Sequence, residues 1–177
     1  MTLPAFHFEG GKIMLYLQKA ALTDGRDVYE MLQRIPPENG VLNSCYQMDW
    51  EDFPTWLTKR VERSQGIGLE DWMVPNTTFW LMDDGVPVGF GSLRHRLTDV
   101  LRERGGHIGY AVDSTKQGRG YGKALLGLMI REARRMGITE ELLVTIYPDN
   151  ASSRRVAEAN GGELRRETAE RVYYWFK

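Results

Sequence analysis

Ile108-Gly109-Tyr110-Ala111-Val112, followed after four residues by Gln117-Gly118-Arg119-Gly120-Tyr121-Gly122-Lys123, is the stretch on which the reading of this chain turns. The first run is β-branched and aromatic, bounded by Gly105-Gly106 and by Asp113-Ser114-Thr115, and predicts a strand. Beyond the second, Leu125, Leu128, Met129, Ala133 and Met136 recur at three- and four-residue steps, while Arg131, Arg134 and Arg135 fall elsewhere. That spacing predicts an amphipathic helix, ended by Gly137.

Glycines at 118, 120 and 122 let the backbone take positive φ and approach a ligand with no Cβ in the way. The helix start adds unpaired N–H groups and the positive end of the dipole, so strand, turn and helix together make an anion site, most often for phosphate. Arg119 and Lys123 add charge suited to a pyrophosphate or a sugar phosphate. The plainer alternative is a tight turn whose glycines only permit close packing. Two other phosphate loops are excluded: Gln117 and Ala124 break the Walker A pattern, and Lys123 stands where a dinucleotide fingerprint needs its third glycine.

What remains, Gln117-x-x-Gly120-x-Gly122 after a strand, resembles the coenzyme A pyrophosphate loop of the GNAT superfamily of N-acetyltransferases. A second match follows: Leu142 to Tyr147 reads as a buried strand, Asn150-x-x-Ser153 opens a helix, and Asn160-Gly161-Gly162 closes it. The resemblance implies a single α/β (mixed α+β) domain over 1–177. Its sheet would be central, mixed, mostly antiparallel and twisted, with about seven strands flanked by helices. Acetyl-CoA would be the acyl donor, held by Tyr110, Ala111, Val112, Gln117, Gly118, Arg119, Gly120, Tyr121, Gly122, Lys123, Asn150 and Ser153.

Working outward, residues 1–11 read as a loosely held lead-in and Lys12 to Leu22 carries the first strand. Thr23-Asp24 offers an N-cap for a helix over 26–34, which Pro36-Pro37 stops. Asp49 or Asp52 caps the next helix, which carries Trp56, Leu57 and Val61. Residues 77–82 and 86–94 form a hairpin about Asp83-Asp84-Gly85, a short helix covers 99–104, and 163–168 with 171–176 close as a second hairpin. Glycines 89 and 91 predict a bulge or a close backbone approach. In the family the region after the first strand shapes the acceptor pocket, so Tyr46, Trp50, Phe53, Trp56 and Trp72 either line a substrate site or serve as core aromatics.

With 177 residues, 42% hydrophobic, 27% charged and a net charge of −1, the chain has no global field to draw nucleic acid or membrane. The basic pairs Arg154-Arg155 and Arg165-Arg166 read as solvated faces. Cys45 is the single cysteine, which excludes an internal disulfide and a thiolate metal cluster; no metal site is expected, and a cytoplasmic setting follows. A homodimer would suit the family, but no heptad marks one.

Acyl transfer to an amine needs an unprotonated nucleophile, and an alkyl amine of pKa near 10.4 is neutral in roughly one molecule per 2,500 at pH 7. His107, at the start of the central strand where many family members carry a glutamate, is the preferred base; a hydrogen-bonded strand histidine is the equal alternative. His95 and His7 are weaker candidates. Many members place a tyrosine seven residues after the Asn to protonate the leaving thiolate; here that position is Ala157, so Tyr110, Tyr121, water or unassisted departure takes its place. The expected activity is acetyl transfer to a small-molecule or peptide amine by direct attack in a ternary complex. The alternatives are a non-catalytic acyl-CoA sensor and an interaction domain with a purely structural glycine loop.

Overall fold

A computed structural model describes residues 14–177; the lead-in over 1–11, with His7, lies outside them. The order is β1 (Leu15–Lys19), α1 (Arg26–Gln33), α2 (Phe53–Ser64), β2 (Asn76–Asp83), β3 (Val86–Arg94), α3 (Asp99–Arg104), β4 (Ile108–Val112), α4 (Tyr121–Arg135), β5 (Leu142–Ile146), α5 (Ala151–Ala159), β6 (Glu163–Glu167) and β7 (Val172–Phe176). The seven expected strands divide into two sheets, β1-β2-β3-β4 and β5-β7-β6, in which every named pair is antiparallel.

Period-two alternation places helices on both faces of the larger sheet. Phe79 and Leu81 of β2 join a core with Leu125, Met129 and Ala133 of α4. Their neighbours Trp80 and Met82 join the opposite core with Val28 and Met31 of α1 and Phe53 and Leu57 of α2. Gly91 is a close approach of the kind the sequence foreshadows: a Cβ there would stand 2.6 Å from Met129 Sδ, so a larger residue would push the Met129 side chain of α4 aside. The bulge lies beside Gly89: Leu81 pairs with Gly89 and Met82 with Pro87, which leaves Val88 as the extra residue of β3.

Asp24 does not cap α1. The N-cap is Gly25, with no side-chain bond. Asp24 instead accepts from Ala21 N (2.8 Å), Gln18 Nε2 (3.0 Å) and Trp80 Nε1 (2.6 Å), satisfying a buried indole that would otherwise be left unpaired. Asp49 and Asp52 make no cap hydrogen bond either, since a 3₁₀ turn over 50–52 leads directly into α2. Asn150 does cap α5, accepting from Ser153 N at 3.1 Å. The basic pair of β6 faces water, with Arg165 on Glu141 and Glu163 and Arg166 on Glu103.

The sheets touch where β4 begins. Gly106 bridges Val144, and His107 N donates to Leu143 O at 2.7 Å. Past that point β4 pairs only with β3, and β5 only with β7. The two strands part, and a cavity lies along the parting.

Candidate active site

A cavity of about 690 Å³ is lined on one side by 108–112 of β4 and on the other by 144–147 on and after β5, with the glycine loop at one end. At the other end it is bordered by residues 35, 36 and 38–42 of the segment following α1, together with Asn76, Ser92 and Arg94 of the hairpin. Gly40 brings that segment against the β5 end: a Cβ there would meet the Tyr147 ring at 2.9 Å.

The loop begins from a buried acid. Asp113 is fully buried; its carboxylate accepts from Thr115 N (2.9 Å), Thr115 Oγ1 (2.8 Å) and Arg34 Nε (2.7 Å). Burial would raise its pKa, but the Arg34 and Thr115 bonds outweigh that and hold the carboxyl below its usual value. Gly118 and Gly120 follow at φ +75° and +84°, and a Cβ at either would meet nothing within 4 Å. Backbone conformation therefore selects glycine there, with open space above it. Ala124 N donates to Gly120 O (3.1 Å) as the first bond of the helix, leaving the preceding amides without an intrahelical acceptor. The Tyr121 hydroxyl donates to Asp83, fastening the helix start to the end of β2.

On β4 the ladder fixes which amides face the gap. Asp113 N donates to Val88 O and Arg94 N to His107 O. By the alternation of an antiparallel pair, Gly109 and Ala111 turn their main-chain groups toward β3, while Tyr110 and Val112 turn theirs toward the gap. The Tyr110 side chain crosses to α5, its hydroxyl 2.7 Å from Ser153 Oγ. Burial pushes this phenol up to about 12, with the Ser153 bond acting in the opposite direction.

Eleven of the twelve residues expected to hold the acyl donor line this cavity; Arg119 does not. His107 is not among the lining residues either. It is wholly buried, its Nδ1 accepting from Leu143 N (3.0 Å) and its Nε2 facing Glu140 Oε1 (3.2 Å). An acceptor Nδ1 carries no proton, so the ring is the neutral tautomer with its proton on Nε2. Burial lowers its pKa against the raising effect of Glu140. His95 is bonded to Thr77 Oγ1 (2.7 Å), also away from the cavity. Ala157, the position of the family tyrosine, is fully buried in the core and is not among the residues lining this cavity.

The aromatics after β1 are also placed differently from the substrate-site expectation. Tyr29, Trp50, Phe53 and Trp56 pack ring on ring, with neighbouring centroids 5.2–5.8 Å apart. None of these, nor Tyr46, lines the larger cavity; Trp72 lines a smaller one of about 370 Å³. Sequence reading missed Asp113, Asn160, Arg60 and Arg94. Asn160 Nδ2 donates to Lys123 O (3.1 Å) and Val156 O (2.9 Å), tying α5 to the first turn of α4. Its place at the end of the second motif was the available signal.

The model of the acetyltransferase (GNAT) family matches residues 42–161, more than half of the chain. The chain belongs to the GNAT acetyltransferases. No curated protein is similar enough in sequence to match it. Among solved structures, a GNAT-family acetyltransferase from Bordetella pertussis is 17% identical, with TM-score 0.66 over 95% of this chain and 98% of that one. RimL, a ribosomal L7/L12 alpha-N-protein acetyltransferase in complex with coenzyme A, is 17% identical, with TM-score 0.64 over 91% and 92%. The yncA acetyltransferase from Salmonella typhimurium, with acetyl-CoA, is 18% identical, with TM-score 0.61 over 92% and 93%. At these identities the likeness is one of GNAT fold. Among the described residues no helix is long and apolar enough to cross a membrane, and no three His, Cys, Asp or Glu side chains cluster to hold a metal.

Proposed function

We propose that the chain is an acetyl-CoA-dependent N-acetyltransferase that moves an acetyl group to a primary amine by direct attack in a ternary complex. The observation that carries this reading is the cavity along the β4–β5 gap, open to a phosphate-type loop at one end and to the α1–α2 segment at the other. Two substrates can enter from opposite ends and meet beside Tyr110.

Acetyl-CoA supplies the activated acyl group. The amides from Gly118 to Lys123, with Lys116 and Lys123, suit its pyrophosphate, and the gap-facing N–H and C=O of Tyr110 and Val112 suit its amide-bearing arm as an added strand. An N–H of the same edge, Tyr110 or Val112, faces the thioester oxygen where charge develops. The Tyr110 phenol, kept protonated at neutral pH and held by Ser153, gives its proton to the departing thiolate as the carbon–sulfur bond breaks.

His107 is a structural residue in this scheme, not the base. Arg60, Arg94 and Arg104 outnumber Glu38, the one carboxylate among the residues lining the cavity, and disfavour an ammonium ion there, so the amine binds neutral and its surplus proton passes to solvent. Cys45 is buried away from the cavity with its thiol pushed up to about 11 by burial, which supports direct attack over an acyl-enzyme. The acceptor is a small-molecule or peptide amine and the setting cytoplasmic.

The test is thiol release from acetyl-CoA across a panel of amines. Release with at least one amine is expected. Coenzyme A binding with no release from any amine would favour a sensor instead.

A further inference from the structure

The acceptor end of the cavity continues into the smaller one: Leu42, Arg60, Asn76 and Arg94 line both. The residues lining the smaller cavity include three arginines, 60, 63 and 94, and no aspartate or glutamate. A cationic pocket opening from a site that receives an amine is an unusual combination, because it repels the protonated form of the substrate.

Neither Arg60 nor Arg94 has a carboxylate within ion-pair distance among the described residues. The Arg60 guanidinium lies 4.9 Å over the Trp56 ring and gives one bond, to Ser44 Oγ at 3.2 Å. Arg94 uses Nη1 alone, toward Gly105 O (3.3 Å) and Gly106 O (2.9 Å). Each guanidinium has further N–H donors to give. Asn76 accepts from Ser92 Oγ at 2.7 Å through Oδ1, leaving its amide NH₂ to donate. Burial and the neighbouring Arg63 charge bring Arg60 down to about 10, which is what a cation with no counter-ion does. Fork-shaped donors on two sides of a half-buried pocket match an oxyanion better than any other group.

We propose that the acceptor is an amine that also bears an oxyanion, carboxylate or phosphate, and that Arg60, Arg94 and Asn76 hold that oxyanion while the amine reaches the β4–β5 gap. The inference rests on the acyl-transfer reading for the word acceptor; the oxyanion pocket itself does not. The anchored anion gains binding from the arginines that a simple alkylamine cannot, so the pocket selects amines bearing an oxyanion over simple alkylamines.

The test has two arms on the full chain. In the first, calorimetry with and without coenzyme A compares N-acetyl-β-alanine, N-acetylated phosphoethanolamine and uncharged N-propylacetamide, for the native protein, Arg60→Gln and Arg60→Lys. The expected result is binding of an anionic probe, at least tenfold weaker in Arg60→Gln and partly restored in Arg60→Lys, with coenzyme A affinity unchanged. Which anionic probe binds better identifies the oxyanion. Equal binding of the uncharged probe, no binding of either anionic probe, or an anionic affinity unmoved within twofold by Arg60→Gln would overturn the pocket. In the second arm, thiol release is compared for β-alanine, phosphoethanolamine and propylamine. Release with propylamine as efficient as with the zwitterions would remove the oxyanion requirement and leave the acetyltransferase intact. Anion binding at Arg60 without coenzyme A binding would overturn acyl transfer and leave the pocket.

Discussion

The His107 imidazole stands in for a strand: its Nδ1 takes the Leu143 N–H at 3.0 Å, a main-chain donor that a continuous sheet would have paired with β4. The same residue's own N–H goes to Leu143 O at 2.7 Å. One side chain thus satisfies the place where β4 and β5 meet before they part, with Glu140 fixing its tautomer.

His107→Ala leaves the Leu143 N–H buried and unpaired, at a cost of about 1–3 kcal/mol. Denaturant unfolding should show that loss, and thiol release under conditions where the variant stays folded should keep its pH–rate profile. A profile that loses a limb would restore His107 as base.

The pH dependence of stability follows from the same ring. Its folded pKa lies below its unfolded value of about 6.5. The unfolded chain then binds the extra proton first, so this contribution is complete above about pH 6.5 and diminishes as pH falls below it. Urea midpoints from pH 8 to pH 5 should decline more steeply in the native protein than in His107→Gln. Parallel curves would refute the assignment.

Gly120→Glu places a carboxylate over the loop where the backbone has φ +84° and open space. Strain of about 1–2 kcal/mol is expected for any L residue there, and Gly120→Ala measures it alone. Calorimetry should show coenzyme A binding abolished in Gly120→Glu and retained, weakened, in Gly120→Ala. Unaltered affinity in Gly120→Glu would show that the pyrophosphate lies elsewhere.

Tyr110→Phe removes the proposed proton donor while keeping the ring in the cavity wall. The rate should fall about 100-fold or more with little change in coenzyme A affinity. Ser153→Ala should give a smaller loss, because it only releases the hydroxyl it holds at 2.7 Å. Single-turnover thiol release separates these effects from binding.

Ala157→Tyr does not recreate the family's acid. The side chain would enter a fully buried site, and overpacking there costs about 1–3 kcal/mol or more. A lowered melting temperature with no gain in rate is expected; a gain would mean that α5 can turn this position toward the cavity.

Local chemistry made much of this protein legible in its sequence. The hairpin of β2 and β3, the stripe of α4 at three- and four-residue steps, and the glycines at 118 and 120 each depend on neighbours close in the chain, and those expectations match the described structure. The Asn150 cap belongs with them, because its partner is three residues away. What only the tertiary structure decided depends on residues far apart in sequence. Asp24 abandons a local cap for an indole 56 positions on, and Asp113 takes its counter-ion from Arg34, 79 positions back. His107 stands immediately before β4, where the strand was expected from sequence to start, yet only the meeting of β4 with β5 turns its ring inward. Periodicity says which face of an element is apolar, but which polar groups are stranded, and therefore which side chain must answer them, is settled when the sheets come together.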